Sequence, residues 1–296
     1  RKRRRHRFRS ASQYQRYQRG GRPVIPAKFD YVRAGSAEEA ISLIVEHGDE
    51  AKFLAGGHSL LPLMKLRLAQ PSVLVDIGRL SDLSYIRDEG DHIAIGAMTR
   101  HTDVETSDVL KQHVPLLAHA TKHVGDPQVR HRGTIGGSLA HADPASDLPA
   151  TTLALGATYV ATGPNGTREI PAAEFYEGFM MSSLAADEML TEIRVPKMNG
   201  AGWSFQKFNR RAFDWAIVGV AAWRNGQSSG VGLVNMAGTP VLATSVSEAL
   251  ASGASPADAA EQAAADADPQ PDLNASVEYR VHLAKVLTRR ALQEAS

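Results

Sequence analysis

The chain has 296 residues, 43% of them apolar, so it is long enough to form two or three compact units with cores of their own. Its formal charge of +1 hides an uneven distribution: residues 1–23 carry ten Lys or Arg and no acid, whereas residues 24–296 carry 23 basic and 32 acidic residues. A net charge of −9 over that body argues against a nucleic-acid-binding surface, and a chain without cysteine forms neither a disulfide nor a thiolate-ligated iron–sulfur cluster.

Residues 1–23 are predicted to be a basic, disordered extension, because Arg, Gln and Tyr bury too little apolar surface to fold alone. The segment lacks the apolar run of a secretory signal peptide, and contact with an anionic membrane or with RNA is the alternative interpretation. The longest apolar run of the chain, Trp215–Trp223, has nine residues, less than half of what spans a bilayer. No transmembrane segment is therefore predicted.

Residues 24 to about 78 are predicted to form a first subdomain. Ser36 and Glu39 make a capping box, after which apolar residues recur at helical spacing until Gly48, which suits the end of a helix. Short buried strands are predicted at Lys52–Ala55 and Val73–Val75.

Residues 79 to 199 are predicted to form a second subdomain. Thr102 and Glu105 make another capping box, and a further helix is expected at Val114–His123. The glycine-rich stretch Gly133–Pro149 is predicted to be mainly loop. The strands predicted in this part are 85–87, 93–95, 158–162 and 168–170.

Residues 200–296 are predicted to be a separate C-terminal domain with a three-stranded sheet followed by helices. Asn225-Gly226 is a strong hairpin signal between the second and third strands. The predicted strands are Trp203–Arg210, Ala216–Trp223 and Val231–Met236, and the predicted helices are about 244–251, 257–267 and 276–294. Strands followed by helices indicate the α+β class.

Two glycine pairs are the candidates for a binding site, Gly56-Gly57 after a strand and Gly136-Gly137 in the glycine-rich stretch. Residues without a Cβ let successive backbone N–H groups face one concavity and let a pyrophosphate come close. Neither pair belongs to a Rossmann or P-loop motif. Taken alone, a glycine pair is more often a tight turn.

The residues around these pairs resemble the FAD-binding medium subunits of molybdenum hydroxylases, and most closely that of aerobic carbon monoxide dehydrogenase. The segments that carry this resemblance are Ala55–Leu60 with Met64–Ala69, Ile95–Thr99, Asp126–Arg130 with Thr134–Gly137, and Asp143–Ala150. The resemblance extends from about Val24 to the C-terminus. It implies a two-part, PCMH-like FAD-binding domain at 24–199 and a flavoprotein C-terminal domain at 200–296.

The family also implies roles for individual residues. Two loops would cradle the FAD pyrophosphate: Ala55, Gly56, Gly57, His58, Ser59 and Thr134, Ile135, Gly136, Gly137, Ser138. Asp147 would accept hydrogen bonds from ribityl or ribose hydroxyls, and Leu190 would pack near the flavin. Lys207 would bring positive charge to the isoalloxazine, and Trp215 would lie against its face. Ser138 departs from the family pattern, in which asparagine is usual.

Structural alternatives exist for three of these residues: Asp147 as the cap of a helix that begins at Leu148, Lys207 as a solvated strand residue, and Trp215 as part of the core. Four histidines, His119, His123, His131 and His141, invite comparison with a metal site, but their spacing matches no metal-binding motif, so neither a metal site nor a catalytic residue is predicted.

The resemblance implies an electron-transfer subunit that carries FAD within a dimer of heterotrimers. The partners would be an iron–sulfur small subunit and a molybdopterin large subunit, in the cytoplasm, with peripheral contact at the inner face of the membrane left open. Two other functions remain: a stand-alone flavin-dependent oxidoreductase with the same FAD-binding fold, and a non-catalytic nucleotide-binding or scaffolding protein. The substrate and the electron acceptor are not encoded in this chain.

Overall fold

A computed structural model describes residues 24–296, and the predicted extension, residues 1–23, lies outside the described part. The described chain contains three larger sheets with helices packed against them. The first two sheets lie within residues 30–196, and the third lies in the C-terminal part. The α+β class predicted from the sequence is thereby confirmed.

The first sheet is parallel, with the strand order β1-β3-β2. Its strands are β1 (Asp30–Arg33), β2 (Ala51–Leu54) and β3 (Val73–Asp76). Helix α1 (Ala37–His47) connects β1 to β2, and the short helix α2 (Leu60–Lys65) follows β2. The predicted N-cap is confirmed, because Ser36 Oγ accepts from Glu39 N at 3.2 Å. The Glu39 carboxylate reaches one residue further back than a capping box requires and accepts from Gly35 N at 2.6 Å.

The second sheet is antiparallel, with the strand order β4-β5-β10-β6-β7. Its strands are β4 (Ile86–Asp88), β5 (His92–Gly96), β6 (Thr158–Gly163), β7 (Gly166–Pro171) and β10 (Met189–Pro196), and a separate small hairpin is formed by β8 (Tyr176–Gly178) and β9 (Met181–Ser182). The largest core cluster packs this sheet against the helices that follow β5. Those helices are α3 (His101–Thr106), α4 (Asp108–His113), α5 (Pro115–Lys122), α6 (Pro127–Arg132), α7 (Ile135–His141) and α8 (Asp147–Ala154).

Two predictions for this region were wrong in detail. Thr102 does not cap a helix, because α3 already begins at His101 and Arg100 precedes it without a side-chain cap. The stretch Gly133–Pro149 contains no strand, as expected, but most of it is helical rather than loop. Helix α7 forms there because Thr134 caps it, accepting from Gly137 N.

The C-terminal sheet is antiparallel, with the order β11-β12-β13-β14. The three predicted strands are confirmed as β11 (Gly202–Phe208), β12 (Val218–Asn225) and β13 (Ser228–Val234), and the two-residue strand β14 (Val241–Leu242) adds a fourth. The helices are α9 (Thr244–Ala251), α10 (Pro256–Ala260) and α11 (Val277–Glu294). The second of these is shorter than the predicted 257–267, because turns replace the helix after Ala260.

Helix α11 packs on β11 and β12, and its buried leucines close the core of this part. Helix α8 packs on the same sheet, so it links the largest core cluster to the C-terminal strands. Within residues 24–296, no helix combines the length and apolar composition needed to cross a bilayer.

Candidate functional site

The first glycine loop, Ala55–Ser59, joins β2 to α2 and carries a run of unoccupied amide donors. Gly57 has φ +76°, a conformation that a residue with a Cβ rarely adopts. Its carbonyl and that of Ser59 accept from Leu61 N and Leu63 N. By contrast, the N–H groups from Gly56 to Ser59 donate to no backbone carbonyl or side chain within residues 24–296. Such a cluster of free N–H groups is suited to an anion.

The second glycine loop has a different character, because its amides from Ile135 to Ser138 already have acceptors. Ile135 N donates to Thr99 O at 3.0 Å and Gly136 N to Ala97 O at 2.9 Å. Gly137 N donates to Thr134 Oγ1 at 3.1 Å. A Cβ on Gly136 would lie 2.5 Å from the Cβ of Ala97, so close packing requires this glycine whether or not a ligand binds.

The structure brings the two glycine loops together, although about 80 residues separate them in the chain. A Cβ on Gly56 would contact Arg132 O and lie 2.8 Å from Gly133 Cα, and one on Gly137 would lie 3.8 Å from the Ala55 Cβ. Arg100 fastens this junction, donating to Arg132 O and, at 3.3 Å, to Gly78 O. No local pattern in the sequence indicates this role for Arg100, because both of its acceptors are backbone carbonyls of distant segments.

Asp147 and Lys207 form a buried ion pair. The Lys207 Nζ to Asp147 Oδ2 distance is 2.7 Å, each side chain is 6% exposed, and Nζ also donates to His123 O at 2.9 Å. The second carboxylate oxygen, Asp147 Oδ1, is buried and has no hydrogen-bond partner. Burial raises the pKa of Asp147 to about 6, and the Lys207 ammonium opposes that rise.

This pairing contradicts both structural alternatives. Asp147 is the first residue of α8, whose N-cap is Ser146, so Asp147 caps no helix. Lys207 is not solvated, because its charge is held between a carboxylate and a carbonyl. An unpartnered carboxylate oxygen inside the protein costs free energy unless a donor satisfies it. Asp147 Oδ1 therefore indicates a missing donor, such as a ligand hydroxyl.

Trp215 is 66% exposed, so the interpretation of this residue as core is wrong. It borders a cavity of about 370 Å³ between the C-terminal part and the segment that precedes Asp147. Phe179 and Met180, from the β8–β9 turn, lie on the same cavity and are also exposed. The remaining lining residues are Asp143, Pro144, Ala145, Arg210, Asp214, Ala216, Ile217, Asn235, Asp272 and Asn274.

The other predicted site residues lie at different depths. Leu190 is 6% exposed on β10 and belongs to the main core cluster, and it does not line the cavity. His58 is exposed on the first glycine loop. Ser138, where the family pattern has asparagine, shares a hydrogen bond of 3.0 Å with Ser146. This contact joins the second glycine loop to the start of α8.

Two of the four candidate histidines, His119 and His123, pack against aromatic rings. The rings of His119 and His123 lie 5.0 Å apart and pack on Trp203 and Phe205 of β11. Burial lowers the pKa of His123 to about 4, so this ring is neutral at pH 7. Within residues 24–296, no group of three or more His, Cys, Asp or Glu side chains is arranged to hold a metal ion.

Comparison with protein families assigns the class. A family model described as the FAD binding domain in molybdopterin dehydrogenase matches residues 27–198, and one described as the CO dehydrogenase flavoprotein C-terminal domain matches residues 203–295. The chain therefore belongs to the FAD-binding medium subunits of molybdopterin-dependent hydroxylases, as an oxidoreductase subunit of a dehydrogenase complex. FAD is its cofactor. The family and cofactor predicted from the sequence are thereby confirmed.

Individual relatives extend over nearly the whole chain. The carbon monoxide dehydrogenase medium chain of Hydrogenophaga pseudoflava is 42% identical over 282 residues, which cover 92% of this chain and 98% of the relative. The 6-hydroxypseudooxynicotine dehydrogenase complex subunit alpha of Paenarthrobacter nicotinovorans is 39% identical, with coverages of 91% and 95%. A solved carbon monoxide dehydrogenase of Hydrogenophaga pseudoflava, which lacks the Mo-pyranopterin moiety of its cofactor, superposes with a TM-score of 0.89 at 42% identity and coverages of 92% and 98%.

The residues present fit FAD. The first glycine loop offers free N–H groups to a pyrophosphate. Asp147 Oδ1 offers an acceptor to a hydroxyl. The cavity beside Trp215 offers an aromatic wall, and it adjoins the segment that leads to Asp147. These three features supply one partner each for the charged, hydroxylated and aromatic portions of a dinucleotide.

Proposed function

We propose that this chain is the electron-transfer subunit of a carbon monoxide dehydrogenase complex, taking electrons from [2Fe-2S] clusters on a partner and passing them to an external acceptor. Identity of 42% and 38% to two carbon monoxide dehydrogenase medium chains, each over 92% of this chain, supports this assignment. The proposal of carbon monoxide as the substrate of the complex rests on that similarity alone. Other relatives, at 39% and 34% identity, are named for 6-hydroxypseudooxynicotine and caffeine.

The first glycine loop is proposed to hold the FAD pyrophosphate. The observation that carries this proposal is the run of unoccupied N–H groups from Gly56 to Ser59, next to the backbone of Arg132 and Gly133. The second loop, Thr134–Ser138, is proposed to form the opposite wall. Its contribution is shape and hydroxyl groups, because its amides from Ile135 to Ser138 already donate within the protein.

The flavin end is proposed to lie at the cavity beside Trp215, with the indole against the ring. Asp147 is proposed to accept from a ribityl or ribose hydroxyl through Oδ1, and Lys207 to orient that carboxylate while placing positive charge near the ring. Leu190 is proposed to pack in the core beneath the site. Bound FAD supplies the redox chemistry, since a flavin accepts electrons singly and passes them on singly or in pairs.

The proposed partners are an iron–sulfur small subunit and a molybdopterin large subunit in a dimer of heterotrimers. The absence of cysteine from the sequence supports this division of labour, because a thiolate-ligated relay cluster has to be held by another chain. The chain's own residues then position FAD, shield it and tune it. No acid–base pair is required of them.

The amide cradle is tested by Gly57→Ala. Gly57 has φ +76°, so a Cβ there strains the backbone of the loop that carries the unpaired N–H groups. We expect the purified variant to lose most of its FAD while its unfolding free energy falls by only about 1 kcal/mol. FAD per chain is measured from the visible spectrum of the purified protein.

Gly226→Ala is the matched control, because Gly226 has φ +61° on a hairpin turn with no atom near its hypothetical Cβ. It should lose similar stability and retain its FAD. If the Gly57→Ala variant kept one FAD per chain, the proposal that the first glycine loop holds the pyrophosphate would be wrong. Gly136→Val is a poor test, because its Cβ meets Ala97 directly and disturbs the fold.

A further inference from the structure

Trp215 is exposed, yet the two residues that follow it are held by an extensive hydrogen-bond network. Asn235 Nδ2 donates to Ala216 O at 2.8 Å, and Arg280 donates through Nη1 to Ile217 O. Ile217 N also donates to Phe208 O at 2.8 Å. The backbone of the two residues after Trp215 is therefore held by Asn235 and Arg280 at its carbonyls and by Phe208 at an amide.

Asn235 connects the hydrogen-bonded backbone of Ala216 and Ile217 to the other side of the cavity. Its backbone N donates to Pro144 O at 2.8 Å, in the segment that precedes Asp147, while its side chain reaches the residue after Trp215. Asn235 has φ +61°, a left-handed conformation that costs free energy in a residue other than glycine. Asparagine is among the residues that tolerate it best, because its side chain is short and polar.

Arg280 supports Asn235 from helix α11. Its guanidinium is 2% exposed, donates to Asn235 O at 3.2 Å, and pairs with Asp272 Oδ2 at 2.7 Å. Asp272 is itself fixed, because its other oxygen accepts from the backbone N–H groups of Asn274 and Ala275 at 2.8 and 3.0 Å. A buried arginine that satisfies two carbonyls and one carboxylate makes a rigid brace.

We infer that Asn235 and Arg280 are positioning residues that set the place of Trp215 relative to the Pro144–Asp147 segment, and so set the width of the cavity proposed for the flavin ring. This inference rests on the proposed function for its link to FAD. The brace itself rests only on the hydrogen bonds that join Pro144, Ala216, Ile217, Asn235 and Arg280. Asn235 is also one of the residues that line the cavity, whereas Arg280 lies outside its lining.

Asn235→Gly tests the brace, because glycine accepts the left-handed backbone and only the side-chain amide is lost. The chain contains three tryptophans, so 5-fluorotryptophan gives three ¹⁹F signals, and Trp215→Phe assigns the one of interest. In flavin-free protein we expect Asn235→Gly and Arg280→Lys to shift or broaden the Trp215 signal, leaving those of Trp203 and Trp223 in place. Asn199→Gly is the matched control, since Asn199 has φ +45° on an exposed turn.

The FAD arm of the test uses a double-mutant cycle. Asn235→Gly should weaken FAD binding by about fivefold, the factor for one net hydrogen bond of about 1 kcal/mol. In a Trp215→Ala background the same change should weaken it no further, because the residue being positioned is gone. Equal weakening in both backgrounds would contradict the inference.

An unchanged Trp215 signal in both brace variants would overturn the inference, as would equal displacement of all three signals, which indicates general loosening. Failure of the wild-type chain to bind FAD would instead remove the proposed site, and the ¹⁹F result would still decide whether the brace positions Trp215.

Discussion

Asp147 and Lys207 place opposite charges in a part of the protein where each side chain is only 6% exposed. The pair joins α8 to β11, so it also joins the FAD-binding part to the C-terminal sheet. The free oxygen of the carboxylate is the feature that indicates a ligand. The lysine orients that carboxylate and favours its ionised form, against the effect of burial.

The pair makes stability depend on pH in a specific direction. Burial raises the folded-state pKa of Asp147 to about 6, above the unfolded value of about 3.9. The folded state then binds more protons than the unfolded state between these values, so the contribution of Asp147 to stability falls as pH rises through this window. Lys207 limits the fall.

Lys207→Met should therefore destabilise the protein much more at pH 8 than at pH 5. At pH 8 the variant buries an unpaired carboxylate, which costs about 3 kcal/mol or more, whereas at pH 5 the carboxyl is protonated. Urea unfolding midpoints at both pH values measure the difference. The double variant Lys207→Met with Asp147→Asn is the control and should recover most of the loss at pH 8. Equal losses at the two pH values would contradict the assigned pairing.

Residue types at this site could be predicted from the sequence, but their partners could not. Asp147 and Lys207 were each expected near the flavin, yet 60 residues separate them, and no local pattern indicated that they would pair. Arg100 and Asn235 were missed for the same reason, because their acceptors are backbone carbonyls of distant segments. The sequence shows which side chains are available, and tertiary packing decides what they contact.

At the scale of elements, the sequence predicts a helix end correctly where a side chain close in sequence hydrogen-bonds the free backbone N–H groups of that helix. Ser36 caps α1 as its capping box predicts, because donor and acceptor lie within three residues. Thr102 carries the same pattern and caps nothing, since α3 begins one residue earlier. The second glycine pair was expected in a loop, but it lies inside α7, where Gly136 packs on Ala97. The two-residue strand β14 is too short for periodicity to reveal.

Thr134 caps helix α7, whereas Thr102 caps no helix, and this difference can be measured. Thr134 Oγ1 accepts from Gly137 N at 3.1 Å and Thr134 is 2% exposed, so Thr134→Ala should lower the unfolding free energy by about 1 kcal/mol. Thr102→Ala should change it by less than about 0.5 kcal/mol, as for an ordinary surface residue. Urea titrations compare the two variants directly. A Thr102→Ala loss as large as that of Thr134→Ala would contradict the assigned caps.

At the scale of the whole molecule, every residue assigned to the site lies between Ala55 and Arg280. Removal of residues 1–23 should therefore leave FAD content and complex assembly unchanged. Removal of residues 1–33 is the control, because it deletes β1, whose pairing with β3 completes the first sheet. FAD per chain and the size of the assembled complex are the measurements. A loss of either with the shorter deletion would show that the basic segment has a structural role.

The proposed role of this chain is to carry electrons without oxidising the substrate itself. Its most direct test is the visible flavin absorbance after carbon monoxide is added, without oxygen, to the isolated chain and to the complex with its iron–sulfur and molybdopterin subunits. We expect an unchanged flavin spectrum in the isolated chain and bleaching in the complex. Bleaching in the isolated chain would contradict the proposed role and favour a stand-alone oxidoreductase.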